Sequence, residues 1–287
     1  MIQGILQYEF LQNAFFTGIL IGFIGPLIGV FIVVRRLSLI ADALSHVTLA
    51  GIAFSLLVEK YFTSMIGLNP LYMGMVFSVG GSLFIEKLRA VYKHYQELAI
   101  PIILSSGIGL SVIFISLADG FNTDLFSYLF GSVSAVSRTD LWVILFISIA
   151  VVLVIILLYK ELFVLSFDEE HAKASGIAVK SIHFVFIVMV ALVIAASMRI
   201  VGILLVSSLM TLPVAASMRI AKGFKQTLLL SVIFGEISVL GGLFSAYYLD
   251  LAPGGTIVMI AVIILVITIL YRKIRIKRQV SVGGAAR

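Results

Sequence analysis

The 287-residue sequence contains no cysteine, which excludes both disulfide bonds and thiolate ligands for a metal. Charged side chains make up 12% of the chain, whereas a soluble protein of this size carries about a quarter. No Gly-x-x-x-x-Gly-Lys-Ser/Thr P-loop is present, so the chain is not an ATPase of that class. The His-Glu-x-x-His and Gly-x-Ser-x-Gly motifs are also missing, and protease or hydrolase functions therefore have no motif to support them.

Apolar residues fill the chain instead, at 61% of the sequence with a mean hydropathy of +1.20. Uncharged runs long enough to cross a bilayer recur along its whole length. The sequence therefore predicts an all-α integral membrane protein, a polytopic helical bundle of about nine spans. The expected spans cover residues 13–34, 37–58, 66–85, 98–118, 141–159, 182–198, 200–218, 226–249 and 251–271.

The region 182–218 leaves the span count open. The hexapeptide Ala-Ala-Ser-Met-Arg-Ile occurs there twice, at 195–200 and 215–220, and almost no turn separates the two spans. Pro213 is expected to kink the second span. A re-entrant or broken helix would give eight spans, and broken helices in transporters line a cavity rather than face lipid.

The basic residues lie in short clusters between the apolar runs. With an outside N-terminus, all but Lys60, Arg138 and Arg199 of the 20 Lys and Arg residues fall on the cytoplasmic side, as the positive-inside rule requires. This distribution accounts for the net charge of +6, so no nucleic acid is expected as a partner. We expect a single transmembrane domain over 1–287 with a basic cytoplasmic tail at 272–287.

Asp42 and His46 lie four residues apart in the apolar stretch from Leu37 to Gly51. In a helix this spacing places both side chains on one face, one turn apart. An ionisable group in a membrane helix costs roughly 2.5–3.5 kcal/mol on insertion scales, so such groups are usually functional. Zn²⁺ and Mn²⁺ both accept carboxylate and imidazole ligands. The pair is therefore a candidate metal path near the middle of the bilayer, or alternatively a buried hydrogen bond that locks two helices.

Glu236 is the other charged residue deep within an expected span, and no basic residue lies near it in the sequence. It is a candidate for a further carboxylate on the metal path. A protonated, hydrogen-bonded packing residue is an equal alternative for Glu236.

The cytoplasmic loop at 160–181 contains a polar segment that predicts a short helix. Ser166 can cap the helix, the acidic residues 168–170 favour its positive end, and Gly176 can end it. A docking surface for another protein and an ordinary solvated loop are both compatible with this composition.

The segment from Val34 to Gly51 resembles the signature of the ABC-3 family, the membrane permeases of ATP-driven zinc, manganese and iron importers. The similarity covers residues 10–272 and is greatest to the zinc-uptake branch. Further similar segments are Asp124–Gly131, Ser166–Gly176, Arg199–Gly202 and Ala252–Ile257.

The resemblance implies the fold of a type II ABC importer permease, an all-helical subunit that works as a homodimer in the bacterial cell (inner) membrane, within the lipid bilayer. It implies that Asp42 and His46 belong to the metal path, whereas no family motif covers Glu236. The loop would hold the coupling helix that docks on a separate cytoplasmic ABC ATPase dimer, and an extracytoplasmic metal-binding protein would deliver the ion. The implied coupling residues are Phe167, Asp168, Glu169, Glu170, Ala172 and Gly176.

We therefore expect a transporter subunit rather than an enzyme, with Zn²⁺ as the transported ion and no permanently bound cofactor. Manganese and iron are alternatives, because histidine and carboxylate ligands serve several divalent metals. An ion-coupled secondary transporter with Asp42 and Glu236 as proton sites, and an intramembrane metalloenzyme, are further alternatives that do not account for the loop. Since Zn²⁺ prefers four ligands, two subunits could share one ion through two Asp–His pairs, or each pair could add water or other side chains.

Overall fold

The computed structural model describes residues 7–61, 69–118, 120 and 123–284. This part of the chain consists of α-helices joined by short connections, with one 3-10 turn at Gln96–Leu98 and no β-strand. The helices are, in chain order, α1 (Glu9–Val34), α2 (Ser38–Tyr61), α3 (Pro70–Val91), α4 (Ala99–Leu117), α5 (Thr123–Phe130), α6 (Arg138–Leu157), α7 (Tyr159–Phe167), α8 (Glu169–Ala174), α9 (Val179–Val201), α10 (Ile203–Ile220), α11 (Phe224–Leu249) and α12 (Pro253–Gly284).

Within the described ranges, nine helical segments are long and apolar enough to cross a membrane, and each corresponds to one expected span. The region that left the count open divides into α9 and α10 at Gly202, giving nine spans rather than eight. Gly202 has a φ of +83°, a conformation that glycine adopts without the cost a Cβ would impose. The α-helix continues through Pro213 to Ile220. The spanning segments are α1, α2, α3, α4 with the preceding 3-10 turn, α6, α9, α10, α11 and the first part of α12.

The most buried spans are α1, α2 and α9, in which 67%, 67% and 72% of the most apolar window is covered by the rest of the bundle. The helix α2 packs mainly against α3 and α4, whereas α1 packs mainly against α11 and α10. The outer helices expose large apolar side chains such as Phe146, Ile156 and Ile267, as expected of surfaces that face lipid.

The expected tail at 272–287 continues the last span without a break. The helix α12 extends from Pro253 to Gly284, so the tail is helical as far as residue 284. Residues 285–287 lie outside the described part of the chain.

The two ends of the helical bundle carry different sets of basic residues, as expected when successive spans alternate in direction. The turn between α1 and α2 lies beside α7, α8 and the start of α9, which line shared cavities. We refer to the loop at 160–181 as the coupling loop and to this end of the bundle as the coupling-loop end. Arg138 and Arg199, both expected on the outer side, lie at the opposite end, where α6 begins and α9 ends.

Candidate metal path and coupling surface

Asp42 and His46 both lie in α2, one turn apart, as the sequence predicts. Both side chains are partly exposed, on a helix whose other faces are largely buried. Neither forms a hydrogen bond or an ion pair with any described residue. The alternative of a hydrogen-bonded lock between helices therefore has no counterpart among the described contacts, and the two polar side chains lie open to whatever covers this face of α2.

A close approach of two helix backbones fixes the position of His46. A Cβ on Gly107 of α4 would lie 2.9 Å from the backbone nitrogen of Val47 and 3.1 Å from the carbonyl carbon of His46. The Val47 side chain fills the space beside Gly81 of α3, where a Cβ would lie 2.8 Å from its Cγ1. Because these contacts involve backbone, the depth and rotation of α2 are set at the residue that carries the imidazole.

The described residues contain no group of three or more His, Asp or Glu side chains that could hold a metal ion. Asp42 and His46 would supply only two ligands, whereas Zn²⁺ prefers four, and Mn²⁺ favours an octahedral set of oxygen-rich ligands. Any ion bound at this pair therefore needs ligands from water or from another chain.

Glu236 lies in α11, on the face that contacts α1, and does not join Asp42 and His46 in one cluster. Its carboxylate occupies the space that a side chain at Gly22 would fill, since a Cβ there would lie 3.2 Å from Oε2. The preceding Gly235 packs against the ring of Pro26. Because Pro26 has no N–H, the carbonyl of Gly22 lacks its helical donor. Glu236 thus lies beside an interruption in the backbone hydrogen bonds of α1.

The loop expected to contain one short helix contains two, and the expectation that Ser166 caps it is wrong. The helix α7 continues through Ser166, whose Oγ donates to the carbonyl of Leu162 at 2.6 Å. Asp168 takes the capping role at the start of α8, where its Oδ1 accepts a hydrogen bond from the backbone N–H of His171 at 2.8 Å. The carboxylate is one residue from the first helical turn, so it reaches donors that the Ser166 hydroxyl cannot.

Gly176 ends α8 as predicted. Its φ is +78°, and its N–H donates to the carbonyl of Lys173 while the N–H of Ile177 donates to that of Ala172. These two bonds form a Schellman motif, in which a left-handed residue satisfies the last carbonyls of a helix.

The helix α8 presents a charged surface and one apolar contact. Ala172 is fully buried against the bundle. Glu169 pairs with Lys173 at 2.7 Å, and the Lys173 ammonium lowers the pKa of Glu169 while Glu169 raises the pKa of Lys173. The other expected coupling residues are exposed: Phe167, Asp168, Glu169, Glu170 and Gly176.

Aromatic rings connect this surface to the helices of the bundle. The ring of Phe224, at the start of α11, lies 5.1 Å from that of Phe163, 5.8 Å from that of Phe167 and 5.5 Å from that of Phe31 in α1, measured between centroids. Aromatic pairs at these distances add about 0.5–1.5 kcal/mol each beyond their buried area. A displacement of α7, which leads directly into α8, therefore acts on the ends of α1 and α11.

A polar cluster at the same end contains His183, which lies at the start of the expected span 182–198. Its Nδ1 lies 2.6 Å from Nη2 of Arg35, and its Nε2 lies 2.8 Å from Oε1 of Glu86. Arg89 lies 3.2 Å from the same Glu86 oxygen. Hydrophobicity patterns could not reveal this cluster, because His183 lies 148 residues from Arg35 and 97 residues from Glu86.

A second polar cluster closes the opposite end. Arg199 donates to the carbonyl of Ala135, to Oδ1 of Asn69 at 3.1 Å and to the hydroxyl of Tyr128 at 2.8 Å. Its Nη1 also lies 3.4 Å from Oδ2 of the fully buried Asp140. Asn69 in turn donates to Asp140 at 2.6 Å. These contacts join the outer ends of α3, α5, α6 and α9.

Backbone contacts at glycines bring distant segments together beside this second cluster. A Cβ on Gly131 would collide with the carbonyl oxygen of Ile200, and one on Gly254 would collide with that of Val201. The junction between α9 and α10 is therefore held between the end of α5 and the start of α12. The three converging segments are among those that carry the resemblance: 124–131, 199–202 and 252–257.

Comparisons with known proteins find relatives that match most of this chain. A probable metal transport system membrane protein of Treponema pallidum (strain Nichols) is 38% identical over 264 residues, which cover 92% of this chain and 96% of that protein. The manganese transport system membrane protein MntC of Listeria monocytogenes is 34% identical over 270 residues, covering 94% and 93%. The structure of PsaBC from Streptococcus pneumoniae in complex with Fab matches with a TM-score of 0.80 and 33% identity over 93% of each chain.

The match to a family model extends over nearly all of the described chain. It covers residues 7–272, from just before α1 to the last span, and includes α2, the coupling loop and both polar clusters. The implied importer permease fold is confirmed by the solved structure with the same helical architecture. This chain belongs to the ABC 3 transport family.

Proposed function

We propose that the chain is the membrane permease subunit of an ATP-driven importer of a divalent metal ion, and that Mn²⁺ is the ion it carries. The observation that carries this proposal is the pair Asp42 and His46, which lie unpartnered among the described residues on one face of an apolar spanning helix. Manganese is favoured over the expected zinc because the relative from Listeria monocytogenes is named as a manganese transport protein. The two ligands alone do not distinguish the two metals.

The pair would act by replacing part of the hydration shell of the ion. Moving a bare divalent cation into an apolar medium is prohibitive, so each step of the path needs ligands. Asp42 supplies a negative charge and His46 a neutral nitrogen donor. Two copies of the chain facing each other across a two-fold axis would bring two such pairs to one ion, with water completing the larger shell that Mn²⁺ prefers.

The helix α8 would dock on a separate cytoplasmic ATPase dimer. Its exposed acidic residues Asp168, Glu169 and Glu170 and the neighbouring exposed ring of Phe167 offer charge and apolar area to a partner. Ala172 seats the helix on the bundle and Gly176 fixes its end. ATP binding and hydrolysis would move this surface and alternate access to the metal pair, while an extracytoplasmic binding protein would deliver the ion to the opposite end.

Glu236 takes a supporting role in this proposal. Its position at Gly22, beside the interruption caused by Pro26, fits a carboxyl group that stabilises the contact of α1 with α11. The proposal locates the chain in the bacterial cell membrane with the coupling-loop end in the cytoplasm, where the positive-inside rule places most of its basic residues.

Transport by the assembled importer in proteoliposomes tests the proposal. We expect uptake of ⁵⁴Mn that requires ATP and the ATPase subunits, persists when a protonophore collapses the proton gradient, and is inhibited by unlabelled Mn²⁺ at lower concentration than by Zn²⁺. Uptake driven by a proton gradient without the ATPase would favour the secondary transporter. Stronger inhibition by Zn²⁺ than by Mn²⁺ would indicate that zinc is the transported ion.

A further inference from the structure

One cluster of charged and polar side chains lies between α8, the expected coupling helix, and α2, which carries Asp42 and His46. Its members are Arg35, Glu86, Arg89 and His183. His183 has 8% of its surface exposed and touches charged groups with both ring nitrogens. Neither the metal path nor the coupling helix as described above uses these side chains. The chemistry of the four side chains fixes the direction of the hydrogen bonds between them.

The donor and acceptor roles within the cluster follow from the chemistry of arginine. A guanidinium group can only donate, so the Nδ1 atom of His183 that faces Arg35 at 2.6 Å has to accept. The proton of a neutral imidazole is then on Nε2, which donates to Oε1 of Glu86 at 2.8 Å. Arg35, His183 and Glu86 thus form a continuous chain of hydrogen bonds from the α1–α2 turn through α9 to α3. Arg89 Nη1 lies 3.1 Å from Nε2 of His183 and 3.2 Å from the same Glu86 oxygen. Because Nε2 carries the proton, Arg89 donates to Glu86 and not to His183.

Arg35 belongs to a stiff turn that leads directly into α2. Arg36 has a φ of +57°, and its N–H donates to the carbonyl of Val33 while the N–H of Leu37 donates to that of Ile32. This is a Schellman motif with arginine at the position that usually takes glycine. The helix α2 begins at the next residue, so a displacement of Arg35 is transmitted to Asp42, about 6 Å further along the helix axis from Ser38.

The coupling helix reaches the cluster through Glu169. Glu169 and Arg35 line the same cavity of 820 Å³, and Glu169 and His183 line a second one of 460 Å³. Burial lowers the pKa of Arg35 to about 10, and the charge of Glu169 is the largest effect opposing that decrease. The Nη1 atom of Arg35 is buried and has no acceptor among the described residues. A movement of α8 that changes the distance between Glu169 and Arg35 therefore changes the electrostatic interaction of the Arg35 guanidinium with the coupling helix.

We propose that the hydrogen-bonded chain of Arg35, His183 and Glu86 transmits movement of the coupling helix to α2, and that His183 is the positioning residue at its centre. This inference rests on the proposed function, since it assigns the cluster to the coupling of ATP hydrolysis with passage of the ion. Loss of the central imidazole leaves the coupling helix and the metal pair intact but disconnects one from the other.

The test compares His183→Phe with wild type in the assembled importer, with ATP hydrolysis and ⁵⁴Mn uptake measured in the same proteoliposomes. Phenylalanine keeps the ring volume but removes both hydrogen bonds. We expect ATP hydrolysis to stay within twofold of wild type while the amount of metal imported per ATP decreases at least tenfold. His183→Asn, whose amide oxygen can still accept from Arg35, should retain more of the coupling than His183→Phe. His94→Phe, at an exposed histidine outside the cluster, is the control and should match wild type.

Glu86→Gln supplies a second test that does not depend on the folding of the first variant. Glutamine keeps the side-chain length and an oxygen acceptor but removes the negative charge at the end of the hydrogen-bonded chain. We expect this variant, too, to import less metal per ATP than wild type. An unchanged metal-to-ATP ratio in either assembled variant would overturn the inference. Absence of ATP-dependent uptake by the wild-type importer would instead refute the proposed function, so the two failures are distinguishable.

Discussion

Asp140 and Arg199 form an ion pair at the end of the bundle opposite the coupling loop, with 3.4 Å between Oδ2 and Nη1. The Asp140 side chain has 0% of its surface exposed and that of Arg199 17%. The two residues lie at the start and at the end of different spanning helices, and hydrogen bonds to Asn69 and Tyr128 extend the contact to α3 and to the short helix α5. The outer ends of four helices are thus joined through one largely buried guanidinium.

Removal of Asp140 should therefore destabilise the protein strongly. Asp140→Ala leaves the largely buried Arg199 without its carboxylate and also removes the capping box that Asp140 forms with Ser137 at the start of α6. Breaking a buried pair typically costs about 3–5 kcal/mol. Glu9→Ala is the matched control, because Glu9 pairs with Arg138 at 3.4 Å while both side chains are more than half exposed. Such an exposed pair contributes about 0–1 kcal/mol. Thermal unfolding in detergent should show a large decrease in Tm for the first variant and almost none for the second; equal decreases would contradict the assigned role.

Two neighbouring glycines at the start of α12 should respond in opposite ways to alanine. A Cβ on Gly254 would collide with the carbonyl oxygen of Val201, whereas a Cβ on Gly255 has no atom within 4 Å. Gly254→Ala should separate α12 from the α9–α10 junction and lower the Tm. Gly255→Ala should leave the Tm unchanged or raise it, since alanine is favoured over glycine within helices by roughly 0.5–1 kcal/mol. A destabilised Gly255→Ala together with a tolerated Gly254→Ala would show that the helices do not meet in this way.

Phe167 should contribute to ATPase binding more than to the stability of the permease. Its side chain is 62% exposed at the coupling surface. A large aromatic side chain that becomes buried at an interface can be one of the few residues whose truncation costs about 2 kcal/mol or more, and we expect Phe167 to be one of them. Phe167→Ala should therefore weaken binding of the ATPase subunit at least tenfold in a surface-binding assay. Phe126→Ala removes a ring that is 51% exposed at the opposite end and should bind as wild type does. A similar loss in both variants would indicate a general effect on folding.

The nine spans and the positions of Asp42 and His46 follow from local sequence. Span length depends on bilayer thickness, and the facing of residues four apart depends on the helical repeat, so neither needs knowledge of the tertiary structure. The end of α8 at Gly176 can also be predicted from local sequence, because a glycine in the left-handed conformation ends a helix through hydrogen bonds to residues three to five positions away. The sequence predicts the wrong capping residue for α8, because the Ser166 hydroxyl donates to a carbonyl within α7 instead.

The polar clusters could not be predicted from the sequence. The contacts of His183 with Arg35 and Glu86 span 148 and 97 residues, and no periodicity links residues so far apart. Similarly, the convergence of α5, the α9–α10 junction and α12 depends on glycines that look interchangeable in the sequence until their neighbours are known. The sequence identifies the polar residues of the helices, whereas helix packing decides which of them meet.

The measurement that tests the central claim most directly is ATP-dependent ⁵⁴Mn uptake by the assembled importer, compared among wild type, Asp42→Asn, His46→Ala and His94→Ala at matched reconstitution. Both variants of the metal pair should lose most of the uptake while the complex still assembles, and His94→Ala, at an exposed histidine near the end of α3, should transport as wild type does. Undiminished uptake by Asp42→Asn and His46→Ala would show that the ion does not pass this pair.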